Sequence, residues 1–496
     1  MKKLYFPSQI YDFEKSLFAS GIDELGLMKD AANAAAQWII SNLKQESFII
    51  LVGPGNNGGD GIYIGKYLID YGYKVYFLRV LEEKTKSNLT MVAEKDIENH
   101  LIALVDLDDF NKQETVIVDA MLGIGGRETI SNEIKSVNKI ANTFKHKIAI
   151  DAPTGLNVSS GKASEETFLA TNTLTFFGYK IGQILDPGKN FTGKMELLKL
   201  NKNIDEEMRE AANLFSFEDV KDLLPKRKLD SHKGMFGKIA ILAGDAGYEG
   251  AGILASAGAL SVGAGLVRLL SQENAVTPAL SYLPELMVSG SDNPQDFKDD
   301  IKSAEVIVCG PGFKDSYWSE QLLYMAIESA KENNQTLIMD AGALRLLCNK
   351  PFQDTDLPSK LILTPHPGEA AALLNLSTEE IQENRLSAST NLATKFKASI
   401  VLKGHQTVIS SNANYICDEG SPALSIPGSG DILAGIIAGL IGNKLDSLSA
   451  IKLGVAVHGR SGTEYSKNFG DRGLDAKALI GLIKKNINEF SYEYFA

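Results

Sequence analysis

The stretch that decides the fold of the first half is Phe48–Leu78, FIILVGPGNNGGDGIYIGKYLIDYGYKVYFL. A short apolar run, Phe48–Val52, enters the glycine-rich segment Pro54–Gly61. A helix-length stretch follows, and a second apolar run, Lys74–Val80, comes after it. This pattern predicts a strand, a turn, a helix and a parallel strand. Glycines permit positive φ and let a ligand approach the backbone closely. The helix start offers unpaired N–H groups and a partial positive charge, which together seat a phosphate. The spacing fits neither G-x-G-x-x-G nor the P-loop pattern. A plain tight turn capped by Asn57 or Asp60 is the simpler reading. The length and composition of the run favour a ligand loop.

Two further loops lie outward from this one. Asp119 follows the apolar run Thr115–Val118 and precedes Gly123, Gly125, Gly126 and Arg127. Asp151 follows Lys147–Ile150 and precedes Pro153, Thr154 and Gly155. In an open α/β sheet, ligands bind at the carboxyl ends of the strands, where all three loops fall. Singly, each Asp could be a turn former. Together the loops gather carboxylate, amide and hydroxyl oxygens, a set that suits a cation preferring oxygen donors.

The second half repeats the alternation. Its apolar runs are Lys238–Leu242, Leu266–Leu270, Glu305–Val308, Leu337–Met339, Leu361–Leu363 and Ser399–Leu402, with helix-length segments such as Ala251–Gly263 and Glu320–Glu332 between them. Its sharpest feature is GSGDILAGIIAGLIG, Gly428–Gly442. Backbone N–H groups at that helix start can stabilise a phosphate in transit. Asp431 stands where a general base could take a hydroxyl proton. Lys403 ends a strand beside this loop and reads as a nucleotide contact. His366, between two prolines, and Glu369 open another helix. The small residues of Asp245–Val267 predict close helix packing, with Gly247–Ala251 at its ligand-facing end.

Composition sets the bounds. At roughly 150 residues per domain, 496 residues give two large domains or three ordinary ones. The polar stretch Asn201–Lys233 puts the boundary near residue 215. Fifty Lys+Arg against 62 Asp+Glu leave a net charge of −12, which repels nucleic acid. Cys309, Cys348 and Cys417 form no C-x-x-C pair. Pro7, Asp12 and Glu14 interrupt any leader-like apolar run. The longest greasy stretch, Ile432–Gly442, is far short of the ~20 residues that span a bilayer. The expectation is a cytoplasmic, membrane-free homo-oligomer.

The segments NNGGDG, VDAMLGIGGR and DAPTGLN resemble the epimerase domain of the NAD(P)H-hydrate repair enzymes. The resemblance implies a Rossmann-like open parallel sheet over residues 1–215. It implies that Asn56, Asn57, Gly58, Gly59 and Asp60, with Gly123, Ile124, Gly125, Gly126, Arg127, Glu128 and Thr129, hold the damaged dinucleotide. It further implies potassium on Asn57, Asp119 and Thr154, with Asp151 facing the reacting ring. The segments GYEGAGILAS, CGPGF, TPHPGEAA, KGHQT and GSGDILAGIIAGL resemble the ADP-dependent NAD(P)H-hydrate dehydratase, a ribokinase-like α/β domain over 216–496. That resemblance implies Ala251, Gly312, His366 and Asp431 at the hydrate. It implies Lys403, Gly404, His405, Gln406, Thr407 and Gly430 at the adenine nucleotide, with magnesium accompanying the ADP.

The expected partners are therefore hydrated NADH or NADPH and ADP, and the catalytic residues are Asp151 and Asp431. Two rivals differ in observable ways. A vitamin or sugar kinase fused to a nucleotide-binding accessory domain would release a stable phosphorylated product. A first half that only binds a nucleotide or a partner protein would leave one hydrate epimer untouched.

Overall fold

The structure is a computed structural model. It describes residues 1–81, 87–94, 101, 104–125, 129–185, 187–200, 202, 204–353 and 355–489. The chain divides into two compact units, Lys2–Ala212 and Asn213–Ala496, with Met1 grouped with the second.

The first unit contains β1 (Lys2–Tyr5), β2 (Ser47–Val52), β3 (Lys74–Arg79), β4 (Thr115–Ala120), β5 (His146–Ile150), β6 (Asn172–Phe176), β7 (Tyr179–Lys180) and β8 (Lys194–Leu198). Six of these form an all-parallel sheet in the order β3-β2-β4-β5-β6-β8. β2 and β4 are buried along nearly their whole length, so they read as continuous apolar runs. The short strands β1 and β7 pair in parallel, with Tyr5 opposite Lys180.

Two helices, Glu24–Asn42 and Asn56–Asp70, pack on one face of this sheet. Buried Ala31, Ala32, Ala35 and Ala36 bring the first close to its neighbours. The second begins at Asn56, so NNGGDG is the start of the helix and the turn is only Gly53–Gly55. None of the glycines from Gly53 to Gly61 has positive φ. They are needed for contact: a Cβ on Gly58 would stand 1.9 Å from the Gly53 carbonyl oxygen. The expectation of conformational freedom there is corrected to one of close approach. Neither Asn57 nor Asp60 caps the helix; its cap is Gly55, which has no side chain.

The second unit contains β9 (Ala212–Phe215), β10 (Lys238–Leu242), β11 (Leu266–Ser271), β12 (Met287–Gly290), β13 (Val306–Cys309), β14 (Thr336–Met339), β15 (Leu361–Leu363), β16 (Ser399–Leu402), β17 (Val408–Ser410) and β18 (Asn414–Cys417). The order is β12-β11-β10-β13-β14-β15-β16-β17-β18-β9. β10 to β16 are parallel throughout, and β17 pairs antiparallel to β16 and β18. β9 lies within the polar stretch that the sequence marks as the boundary.

The helices Glu249–Ser261 and Ser429–Gly442 form the tightest packed helix pair of this unit. A Cβ on Gly435 would lie 1.9 Å from the Ala255 carbonyl oxygen, and one on Gly258 2.3 Å from that of Ile432. The small residues of Asp245–Val267 therefore serve close packing, as their composition predicts. Among the described residues, no helix is long and apolar enough to cross a membrane.

Candidate functional site

In the first unit, the expected loops converge at the carboxyl ends of β2, β4 and β5. Asp119 is 0% exposed. Its Oδ2 accepts from the Thr154 N–H at 2.7 Å, and its Oδ1 accepts from the Thr154 hydroxyl at 2.8 Å and the Met121 N–H at 3.1 Å. Burial pushes this carboxyl up to about 6, while those hydrogen bonds pull the other way. The Leu122 N–H in turn donates to Thr154 Oγ1 at 3.3 Å. Gly123, at φ +62, abuts Asn57: a Cβ there would lie 3.1 Å from the Asn57 side chain. Asn57 is 9% exposed, and its Nδ2 has no hydrogen-bond partner among the described residues. Buried polar atoms are nearly always paired, which makes this one a candidate ligand contact. Gly126, Arg127 and Glu128 lie outside the described residues; Gly125 and Thr129 are exposed and Ile124 is half-buried.

Asp151 occupies the left-handed region at φ +62, which Asp tolerates better than most side chains. Its Oδ1 accepts from the Thr175 hydroxyl at 3.0 Å and the Phe176 N–H at 3.2 Å, and forms an ion pair with Lys180. The Lys180 side chain is fully buried and also donates to Thr175 Oγ1 and the Phe176 carbonyl. Gln183 donates to the Asp151 carbonyl at 2.5 Å. Half-buried Asp60 is held well above the usual carboxylate range by burial, Asp151 and Glu14. Lys180 and Glu14 escape a motif reading. Lys180 is a lone cation in the apolar run Phe176–Leu185, and that isolation is the signal that could have found it.

In the second unit, two cavities meet. One, about 770 Å³, is lined by Tyr248, Ala251, Gly312, Lys314, Arg345 and Asp431 among others. The second, about 650 Å³, includes His366, Lys403, Gly404, His405, Thr407 and Gly430. Ala341, Gly428 and Asp431 line both. His366 therefore lines the cavity that holds Lys403, apart from Ala251 and Gly312. Gln406 is turned inward, with φ +54 and its amide directed at Asp418.

Gly428 caps the helix Ser429–Gly442 at φ +84, where a side chain would be strained and would strike Leu254. The turn leaves Gly430 and Asp431 in the first helical turn. Burial and Asp340 raise Asp431 to about 7, with Lys403 opposing. Asp340 is buried and accepts from the Thr364 hydroxyl at 2.7 Å and from Lys403 Nζ at 2.6 Å. Burial alone would lower the Lys403 pKa; Asp340, Glu369 and Asp431 outweigh it, and Lys403 stays charged. Its ammonium lies 3.1 Å from where a Cβ on Gly430 would be, directly beside the turn. His366 Nδ1 accepts from the Gly368 and Glu369 N–H groups, and Glu369 accepts from the His366 N–H, so the pair forms a capping box.

Two residues missed in the sequence complete this site. Asp340 follows β14 as Asp151 follows β5, and the same strand-end signal applies to it. His458, on the helix Ser447–Phe469, is 8% exposed, lines the second cavity and hydrogen-bonds Ser429 Oγ at 3.0 Å. Burial lowers it to about 4, so it is neutral at pH 7.

Comparison with known proteins covers both units. A family model described as NAD(P)H-hydrate dehydratase matches residues 239–485, and one described as YjeF-related protein N-terminus matches residues 24–182. The bifunctional NAD(P)H-hydrate repair enzyme of Coxiella burnetii is 33% identical over 98% of this chain and 100% of that protein. The Escherichia coli protein of the same name is 31% identical over 94% of this chain and 90% of its own length. A Bacillus subtilis ADP/ATP-dependent NAD(P)H-hydrate dehydratase, co-crystallised with ATP and Mg²⁺, superposes with a TM-score of 0.51 at 27% identity, covering 56% of this chain and 99% of that one. The expected fold holds: parallel α/β sheets, with a ribokinase-like second unit. With relatives matched from end to end and a family model on each unit, this chain belongs to the bifunctional NAD(P)H-hydrate repair enzymes.

Proposed function

We propose that residues 1–215 interconvert the S and R forms of hydrated NADH and NADPH, and that residues 216–496 dehydrate the S form using ADP. The observation that carries this reading is the position of Asp431 on two adjoining cavities, with room for two ligands on either side of it. A general base must reach the hydroxyl while the phosphoryl donor lies close by.

Hydroxide is a poor leaving group. Asp431 takes the hydroxyl proton as the ring oxygen attacks the β-phosphorus of ADP, and AMP departs. The C–O bond then breaks, phosphate leaves with the electron pair, and the ring loses a proton to restore the double bond. N–H groups at the start of the helix Ser429–Gly442, with Lys403 beside them, oppose the charge that builds on the transferred group. Magnesium neutralises charge on the nucleotide phosphates when bound. A dehydratase selective for one epimer strands the other, and the first unit clears it.

In that first unit, Asn57, Asp119 and Thr154 fit potassium. They offer one carboxylate, one hydroxyl and a buried amide with an unpartnered terminal atom; amide oxygen and nitrogen exchange by a flip. One ionised ligand is too little charge for a tight calcium or magnesium site. Bound there, the ion would tie the three loops into one pocket.

The deciding experiment incubates the protein with mixed hydrate epimers and ADP or ATP. Full return of dihydronicotinamide absorbance with free phosphate is expected. A stable phosphorylated product would instead identify a small-molecule kinase.

A further inference from the structure

We propose that Glu14 is the residue that gives up and takes back the proton when the ring–oxygen bond of the hydrate breaks and reforms, using water held in the cavity it shares with Asp60. The proposal rests on the epimerase reading of this unit and changes which carboxyl moves the proton.

Glu14 reaches the site through local structure. β1 pairs with β7 and leads directly into the helix Pro7–Ala19. That helix buries Ile10, Phe13 and Leu17 and leaves Glu14 on the flank of its apolar face. The β1–β7 register sets this helix beside Lys180, and therefore beside Asp151. Glu14 lines a cavity of about 100 Å³ together with Asn56 and Asp60 from the NNGGDG helix start. Phe176, Phe177 and Met28 supply its apolar walls. A single water needs only ~10–15 Å³ of such space, so the cavity can hold the water that epimerisation releases and consumes.

One of the two carboxylate oxygens of Asp151 is already committed. Its Oδ1 is taken by the Lys180 ammonium, the Thr175 hydroxyl and the Phe176 N–H. A carboxylate held in place by a buried cation and two further donors is oriented to face and stabilise a cationic ring. Glu14 is different. Burial and the charge of Asp151 raise it to about 7, and Lys180 partly opposes them. The groups facing it are Asp151, Lys180, Asp60, Tyr11 on its own helix, and Glu24 across the cavity. A carboxyl titrating near 7 can serve as acid in one direction and base in the other.

The step balances without any redox partner. The Glu14 proton goes to the ring hydroxyl, and the C–O electron pair leaves with the oxygen as water. The ring nitrogen's lone pair forms a C=N bond, and the Asp151 carboxylate faces the resulting cation. Water then adds to either face, and its proton returns to Glu14, directly on the near face and through a second water on the far face. Addition to the opposite face gives the other epimer.

The test uses the full chain with purified hydrate epimers and no ADP, following the epimer ratio above the spontaneous rate. Wild-type kcat/KM should fall as pH rises through about 7, because the protonated acid starts the reaction. Glu14→Gln should lose about 10²–10⁴-fold in rate and lose that limb. Its ADP-dependent dehydration of the S epimer should be unchanged. Glu14→Asp, with a carboxyl one methylene short, should recover part of the rate and the limb. Asp151→Asn should slow the reaction and keep the limb, moved to lower pH because the charge that helps raise Glu14 is gone. Glu14→Gln working at the normal rate, or a wild-type profile flat through pH 7, overturns the assignment of Glu14. Glu14→Asp as inactive as Glu14→Gln does the same. A wild-type chain that does not interconvert the epimers overturns the epimerase reading itself.

Discussion

The helices Asn56–Asp70 and Ser429–Gly442 both begin with glycines followed by an Asp in the first turns, and in both the Asp is raised by burial. In the first, the glycines have ordinary negative φ and exist because Gly53, Met28 and Ala120 press against them. Asp60 there shares its surroundings with two more carboxyls. In the second, Gly428 turns the chain at φ +84, and Asp431 opens onto two cavities with the Lys403 ammonium opposing its rise. The same short string of residue types thus supports a packing seam in one unit and a left-handed turn between two cavities in the other. Glycine after a strand announces crowding or a special φ, and only the neighbours decide which.

Several substitutions would sharpen or break this contrast. The largest effect is expected at Asp431. Asp431→Asn keeps its size and cannot accept the proton, so dehydration should fall about 10²–10⁴-fold while ADP affinity is largely kept. In the wild type, the same rate should fall as pH drops below about 7, because only the ionised form is a base. Steady-state kinetics with parallel ADP titration check both.

Next comes His458. His458→Phe removes the partner of Ser429 and should lower dehydration about tenfold through kcat, since a lost buried hydrogen bond costs about 1–3 kcal/mol. His458→Asn, still able to hydrogen-bond, should recover part of it. Equal losses in both variants, or a change confined to KM, would show that the hydrogen bond does not orient the turn.

The paired glycines test the contrast itself. Gly58→Ala puts a methyl into a backbone carbonyl and should destabilise the first unit by about 1–3 kcal/mol, leaving dehydration alone. Gly428→Ala forces a side chain to positive φ, worth about 1–2 kcal/mol, and should depress dehydration first. Melting curves and separate assays of the two activities would show whether the roles are reversed.

The smallest effect is one of stability. The folded pKa of Asp431 is raised to about 7, so the native state binds this proton more tightly than the unfolded chain. Its contribution is full below about pH 4 and is lost as pH rises through about 7. Asp431→Asn escapes that loss. Its melting temperature should exceed wild type by a few degrees at pH 8, and the gap should narrow toward pH 5. A constant gap would mean that Asp431 does not titrate in this range.

What could be read in advance follows physical lines. β2, β4, β5 and most of β10 to β16 are buried on both faces, so they show as unbroken apolar runs. Strand-end Asp119 and Asp151, and Asp431 at a helix start, sit beside glycines and prolines that mark turns. Short or half-exposed strands such as β7, β8 and β12 carry no such run and were not foreseen. Lys180 comes from a two-residue strand far along the chain from Asp151, and Glu14 from a helix before the first motif. Their meeting depends on the β1–β7 register, which no local pattern encodes. His458 ends the apolar stretch Gly454–Val457, where a lone histidine most often belongs to the core.

The shared position of Asp431 carries a thermodynamic consequence. A nucleotide entering one cavity brings negative charge toward a carboxylate that also borders the other. Each ligand therefore changes the free energy of binding the other, and reciprocity requires the factor to be the same in both directions. An affinity measured for ADP alone describes an enzyme whose neighbouring cavity is empty of hydrate. The turnover-relevant value is the one measured with a hydrate analogue in place.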